Sequence, residues 1–128
     1  MQYRDQYSQQ AVRTSVVPQA IAAAKAGTAV DLAGAKSCLI LASTGAFAGA
    51  EVISVKLQEA DASGGPWSDV PAAYVQSDAP ASLAASFSYR LGYLGGKRFV
   101  RPMFVWTSGT SAQVAALAVV EPLVRPVP

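Results

Sequence analysis

The chain has 128 residues, of which ten are Lys or Arg and eight are Asp or Glu, with no histidine and a formal net charge of +2. This length fits one ordinary domain, and the lack of histidine excludes most hydrolase mechanisms because the commonest general base and metal ligand is missing. Only 14% of the residues are charged and 52% are apolar. So little charge predicts apolar surface that is buried against partners, including copies of itself in a dimer or trimer.

Apolar runs recur about every ten residues between clusters of Gly, Pro, Ser and Asp, which is typical of an all-β sandwich or barrel. We expect about eight strands in a single antiparallel β-sandwich. The main ones are expected at 11–17, 28–32, 36–44, 50–59, 83–94, 97–106 and 112–121. Residues 19–26 are rich in alanine and fit a short helix and a loose extended segment equally well. Residues 72–81 form a loop or a short strand.

Two of these strands predict which side chains face the core. In 50–59 the apolar residues Ile53, Val55 and Leu57 alternate with polar ones, so they should point inward. The strand 36–44 is rich enough in Leu and Ile to be buried on both faces. Its Cys38 is the single cysteine of the chain, and we expect a buried thiol that forms neither a disulfide nor a metal site.

Residues 89–106 read YRLGYLGGKRFVRPMFVW and contain two aromatic-rich runs on either side of Gly95-Gly96. A glycine pair suits the positive φ angles of a tight hairpin turn. We therefore predict that residues 83–106 form the central hairpin of the sandwich. By period two, one face of its first strand should carry Phe87, Tyr89, Leu91 and Tyr93.

Four cations surround this turn: Arg90, Lys97, Arg98 and Arg101. With the nearby rings as stacking platforms they could bind nucleic acid or an anion. The favoured interpretation is that the rings fill the sandwich and the cations encircle the turn, because alternation should send Arg98 and Phe99 to opposite faces. We therefore expect no nucleic-acid partner, since the net charge of +2 is also far below a dense basic surface.

No motif for catalysis, cofactor binding or metal binding stands out, so we expect no enzyme. The eight acids are scattered and no two are marked as an acid–base pair. The loop 61–69 offers Asp61, Ser63 and Asp69 as oxygen ligands, but it lacks the late acidic ligand of a calcium loop and is read as a turn. The uncharged stretch 102–120 is interrupted by TSGTS, so it predicts two strands rather than a membrane span.

Both ends of the chain lack the periodicity of a core strand. We divide the chain into an N-terminal arm (1–10), the sandwich (11–121) and a proline-rich C-terminal arm (122–128). The residues expected to contact another molecule or a sister subunit are Tyr3, Arg4, Tyr7, Lys97, Arg98, Arg101, Leu123 and Arg125. Rings and guanidinium groups suit interface anchoring, and a stiff extended tail loses little entropy when it docks.

A likeness to a known group is carried by an ordered set of segments between about residues 28 and 121. They are 29–34 (AVDLAG), 52–59 (VISVKLQE), 64–70 (GGPWSDV), 89–93 (YRLGY) and 95–101 (GGKRFVR). As a set they resemble small structural proteins encoded among the head genes of tailed bacteriophages. The resemblance implies a jelly-roll-like sandwich that acts as a capsid decoration or cement protein. Such a protein is made in the bacterial cytoplasm and binds major capsid subunits on the outside of the virion head.

Two other functions remain open at this point. A head–tail connector or tail component would share the phage context and the sandwich, and would differ in its copy number per particle. A carbohydrate-binding module would use Trp67, Tyr74 and Tyr93 as a platform for sugar rings. Binding of the isolated protein to glycans would favour that second alternative.

Overall fold

The computed structural model describes residues 7–122, and nearly all of its regular structure is β-strand, which confirms the all-β prediction. The long strands are β1 (Ala11–Ile21), β4 (Ala35–Phe47), β5 (Val52–Ala60), β8 (Ser88–Tyr93), β9 (Phe99–Ser108) and β10 (Ala112–Pro122). The short ones are β2 (Lys25–Ala26), β3 (Val30–Asp31), β6 (Ser68–Asp69) and β7 (Val75–Ser77). Two short 3-10 turns cover Tyr7–Gln9 and Ala72–Tyr74.

The strands form two antiparallel sheets that pack face to face. Sheet A has the order β1-β10-β4-β8-β7, and sheet B has the order β2-β9-β5-β6 with β3 also paired to β9. The pairing is nested: β5 pairs with β6, β4 with β8, β2 and β3 with β9, and β1 with β10. This is the strand order of a jelly roll, a long folded ribbon rolled into two sheets. The predicted antiparallel β-sandwich is therefore confirmed.

The predicted central hairpin over residues 83–106 is wrong. β8 pairs with β4 and β7 in sheet A, whereas β9 pairs with β5, β2 and β3 in sheet B. The segment with Gly95 and Gly96 crosses from one sheet to the other. In this rolled ribbon several strands that follow each other along the chain, including β8 and β9, lie in opposite sheets. A glycine pair between two strands therefore does not by itself identify a hairpin.

Two local predictions are resolved by strand pairing. Residues 19–26 are not helical: β1 continues to Ile21, the chain bends at residues 22–23, and Lys25 and Ala26 pair with Phe104 and Met103 of β9. Their alanines favour a helix only weakly over so short a stretch, and pairing to a sheet outweighs that preference. Near the C-terminus, β10 runs through Pro122, which is one residue into the segment 122–128 that was predicted as an arm.

The core lies between the sheets and follows the predicted alternation. Ile53 and Leu57 are buried, and Val55 is partly buried and packs against the core. In sheet A the residues Tyr89, Leu91 and Tyr93 are buried on one face, but Phe87 precedes β8 and is 59% exposed. Full burial of a large apolar side chain such as Ile53 or Leu91 stabilises the fold by about 1.5–3 kcal/mol.

Strand β4 is buried on one face only, not on both. Cys38, Ile40 and Ala42 face the core, whereas Leu39 and Leu41 point outward and are half-buried. The strand is central in sheet A, but no further layer of the described chain covers its outer side. No helix within residues 7–122 combines the length and apolar character needed to cross a membrane.

Candidate functional site

One end of the sandwich brings together three features that the sequence separates widely. Ala11 pairs with Val120, Val120 with Cys38, and Cys38 with Tyr93, so these four residues lie in one row across sheet A. Tyr93 is followed directly by the basic turn 94–98. The start of β1, the end of β10 and the basic turn therefore share one end of the sandwich, which we call the terminal end.

A shallow cavity of about 380 Å³ opens at the terminal end. Three cationic side chains line it, and none of its lining residues is acidic. The lining consists of Leu32, Ala33, Ala35, Lys36, Ser37, Cys38, Tyr93, Gly95, Gly96, Lys97 and Arg98. Ala35 is also the register partner of Pro122, the last described residue of β10. Strand β10 thus ends at the rim of this cavity.

The two cations of the turn are held by carboxylates from distant parts of the chain. Lys97 Nζ donates to Asp61 Oδ2 at 3.0 Å. Arg98 donates from Nε and Nη2 to the two oxygens of Asp31, both at 2.9 Å. Hydrogen bonding to Arg98, with a further bond from the Ala33 N–H, lowers the pKa of Asp31 to about 2, and the same pair raises the pKa of Arg98.

Both ion pairs are open to solvent. The side chains of Lys97 and Asp61 are 44% and 80% exposed, and those of Arg98 and Asp31 are 57% and 46% exposed. Exposed pairs of this kind contribute little to stability and are weakened by salt. The cations can therefore exchange an internal carboxylate for one on another molecule at small cost to the fold.

The expectation that Arg98 and Phe99 face opposite sides is wrong. Arg98 precedes β9, so strand alternation does not apply to it, and its guanidinium lies 5.1 Å from the centre of the Phe99 ring. The two residues form a cation–π contact at the terminal end. The prediction that the neighbouring rings fill the sandwich holds for Tyr89 and Tyr93, which are 7% and 6% exposed.

Arg101 belongs to a different surface from Lys97 and Arg98. It lies within β9 and pairs with Gln58 on the outer face of sheet B, where its Nε donates to the amide oxygen of that residue at 2.9 Å. Its guanidinium lies 4.3 Å from the centre of the Trp67 ring. The four cations that are close in sequence are thus divided among separate surfaces, and Arg90 forms its own pair with Asp78.

A partly buried hydrogen-bond link positions the basic turn. The Tyr93 hydroxyl donates to Glu59 Oε1 at 2.7 Å and accepts from the Lys97 N–H at 3.0 Å. Tyr93 lies in sheet A and Glu59 in sheet B, so one hydroxyl joins both sheets to the turn. Desolvation by burial and the bond to Glu59 raise the pKa of Tyr93 to about 12, so the hydroxyl keeps its proton at neutral pH.

Gly95 is required by the close approach of the turn to Tyr93. A Cβ at this position would lie 2.6 Å from Cε1 and Cζ of the Tyr93 ring, well inside ordinary van der Waals contact. The glycine pair is therefore explained by the packing of the crossover against the ring. The sequence indicated that this position needs a glycine, but the role predicted for the glycine, a hairpin turn, is wrong.

The opposite end of the sandwich has a buried carboxylate that sequence reasoning missed. Glu51 is 5% exposed, and it accepts hydrogen bonds from the N–H groups of Gly49, Thr110 and Ser111. Desolvation raises the pKa of Glu51, but the backbone donors together outweigh it and the pKa is lowered. The side chain ties the 48–51 loop to the 109–111 loop, and nothing in the sequence marks it for that role.

The aromatic side chains do not form the sugar platform considered above. Tyr93 is buried between the sheets and Trp67 is covered by Arg101, whereas Tyr74 is 50% exposed. A platform needs ring faces that are open to solvent together. Tyr93 cannot contribute to one in this structure.

The predicted contact residues are only partly described by the structure. Tyr7 is 88% exposed in the turn before β1, and Lys97 and Arg98 line the cavity at the terminal end. Tyr3, Arg4, Leu123 and Arg125 lie outside the described residues. Among residues 7–122, no group of three His, Cys, Asp or Glu side chains is placed to hold a metal ion.

No protein-family model and no curated protein matches this chain. The geometry of the sandwich and the likeness noted in the sequence are therefore the basis for the function proposed below.

Proposed function

We propose that this chain is a non-enzymatic structural protein of a tailed-phage virion, of the capsid decoration or cement type. It binds the outside of the head shell and stabilises the joints between major capsid subunits. It is made in the bacterial cytoplasm and is finally located on the capsid surface. Its partners are the major capsid protein and other copies of itself, with neither nucleic acid nor membrane involved.

The observation that carries this proposal is the meeting of the start of β1, the end of β10 and the basic turn at the terminal end. Terminal segments that leave the sandwich beside exposed cations can reach neighbouring subunits while the sandwich stays intact. Lys97 and Arg98 then supply charge that orients the protein on an acidic surface and speeds its association.

The jelly-roll fold and the low charge content agree with this role without establishing it. Jelly rolls occur in viral capsid proteins, but also in lectins and cupins, so the fold alone does not assign a function. A chain with 14% charged residues is suited to an assembly that covers much of its surface. The connector or tail component remains the second candidate because it would use the same features in fewer copies.

The experiment is the rebinding of purified protein to heads that lack it, across a series of salt concentrations. We expect the double variant Lys97→Ala/Arg98→Ala to bind more weakly than wild type at moderate salt, with its isolated fold intact. The matched control is Lys56→Ala/Arg90→Ala, which removes the same two charges and two comparable exposed ion pairs away from the terminal end.

Equal loss in both double variants would mean that net charge, not the terminal end, governs attachment. Failure of the wild-type protein to bind heads would reject the decoration role. Tight binding of the wild-type protein to DNA at physiological salt would reject the assignment of the cations to a protein partner.

Truncation tests the terminal segments separately. We expect chains lacking residues 1–6 or 123–128 to melt at nearly the wild-type temperature, because both deletions leave strands β1 to β10 whole. Their occupancy on heads should fall, because the lost contacts are between molecules. Full occupancy by both truncated chains would show that the sandwich surface alone carries attachment.

A further inference from the structure

The outer face of sheet A is apolar across its long strands, although the interior of the sandwich is already filled from the other side. Residues paired across strands share a face, so the outward rows can be read from the register. One row runs Val12, Val119, Leu39, Gly92, and the next runs Thr14, Leu117, Leu41, Arg90. The first charge in either row is Arg90, at β8.

Charged groups occur only around the edge of this face within the described chain. Arg90 is neutralised by Asp78, with Nε 3.1 Å from Oδ2, and Glu121 lies at the far end of β10 beside Lys36. An apolar centre with a polar rim is the usual anatomy of a protein–protein interface. The outer face of sheet B differs, because Lys56 and Arg101 lie in its middle rows.

The face also carries both a depression and projections. A groove of about 430 Å³ is lined by Leu41 and Leu117 in one row and by the small side chains of Ser43 and Ala115 in another row. Beside it, Val17 is 62% exposed next to the groove residues Val16 and Pro18, and Val12 is 61% exposed. Apolar projections next to an apolar groove allow the surface to fit a copy of itself related by a two-fold axis.

The size of the face suits a stable dimer. Strands β1, β10 and β4 make a surface of about 14 Å by 37 Å, and the shorter β8 adds about 5 Å by 20 Å, which gives roughly 620 Å² from strand spacing and rise. Each partner in a stable interface of standard size buries about 600–1,000 Å². A two-fold contact between uncharged centres also brings no like charges together, so a second copy meets no electrostatic penalty there.

We propose that two copies of this chain associate through the outer face of sheet A, sheet against sheet, in a closed two-fold dimer. The contact is distinct from the terminal end, which stays free for another partner. It does not depend on the virion role, since the association requires only the purified chain.

The test is sedimentation equilibrium of the full-length protein and of two matched variants, Val119→Glu and Val105→Glu. Both positions are half-buried valines that point outward from a central strand, the first in sheet A and the second in sheet B. We expect wild type and Val105→Glu to be dimers at about 10 µM. The affinity that this requires is modest for an interface of this size. Val119→Glu should weaken dimerisation at least 100-fold while its circular dichroism stays that of a β-sandwich.

A second variant guards against misfolding of Val119→Glu. In Leu41→Glu the new carboxylate lies opposite Arg90, so the monomer can accommodate it, and we expect the same loss of the dimer. Wild type that is monomeric at about 10 µM, or a trimer, would overturn the proposal. Dimers that survive both glutamate variants would also overturn it. So would a chain of residues 7–122 that dimerises when the full chain does not, because the terminal segments would then cover the outer face of sheet A in place of a second copy.

Discussion

Replacing Tyr93 with Phe tests whether its hydroxyl joins the two sheets and the basic turn. The substitution keeps the buried ring but removes a donor to Glu59 at 2.7 Å and an acceptor for the Lys97 N–H at 3.0 Å. A hydrogen bond to a charged group contributes about 1.5–3 kcal/mol and a neutral one about 0.5–1.5 kcal/mol. Because the two bonds share one hydroxyl and solvent can reach the turn, we expect a loss of about 2–3 kcal/mol in the free energy of unfolding.

The assay is urea unfolding followed by the fluorescence of Trp67 and Trp106. For a slope near 2 kcal/mol per molar urea, the loss corresponds to a fall of about 1–1.5 M in the midpoint. The matched control is Tyr74→Phe, which removes the hydroxyl of a half-exposed tyrosine and should change stability by less than about 0.5 kcal/mol. A Tyr93→Phe midpoint within about 0.2 M of wild type would refute the structural role of this hydroxyl.

Three further predictions concern the turn, the acids and the thiol. Gly95→Ala should lower the free energy of unfolding by about 1–3 kcal/mol, because its Cβ would collide with the Tyr93 ring. The same urea titration measures this loss, and an unchanged midpoint would contradict it. The pKa values of Asp31, Asp69 and Asp78 are lowered in the fold by their hydrogen bonds, so their stabilisation is present above the ordinary pKa near 4 and should be lost as pH falls toward 2. Melting temperatures that are flat from pH 5 to pH 2 would count against these contacts. Cys38 is 5% exposed and burial raises its pKa to about 11, so a thiol reagent at pH 8 should react with it only after urea is added.

The class of fold is readable from the sequence because strand periodicity and turn residues are local signals. Ile53, Val55 and Leu57 alternate with polar residues, and that alternation alone places them inward. The order of strands in each sheet is not a local property. The glycine pair at 95–96 is compatible with a hairpin and with a crossover, and only the pairing of β8 with β4 decides between them.

The candidate site was predictable in its composition but not in its arrangement. Lys97 and Arg98 are visible as a basic cluster, whereas Asp61 and Asp31 are 36 and 67 residues away along the chain. Partners at such separations are brought together by the rolled topology, which the sequence pattern does not encode residue by residue. The same reason explains why the burial of Glu51 was missed: its three donors come from two loops that meet only in the folded sandwich.

The most direct test of the decoration role is electron microscopy of phage particles made with and without this protein, with its copy number counted per particle. We expect density for the sandwich on the outside of the head, in hundreds of copies, with the terminal end against the major capsid subunits and none in particles made without the protein. Density confined to the neck or tail in a dozen copies or fewer would contradict the decoration role and support a connector or tail component. A protein absent from purified particles would contradict both.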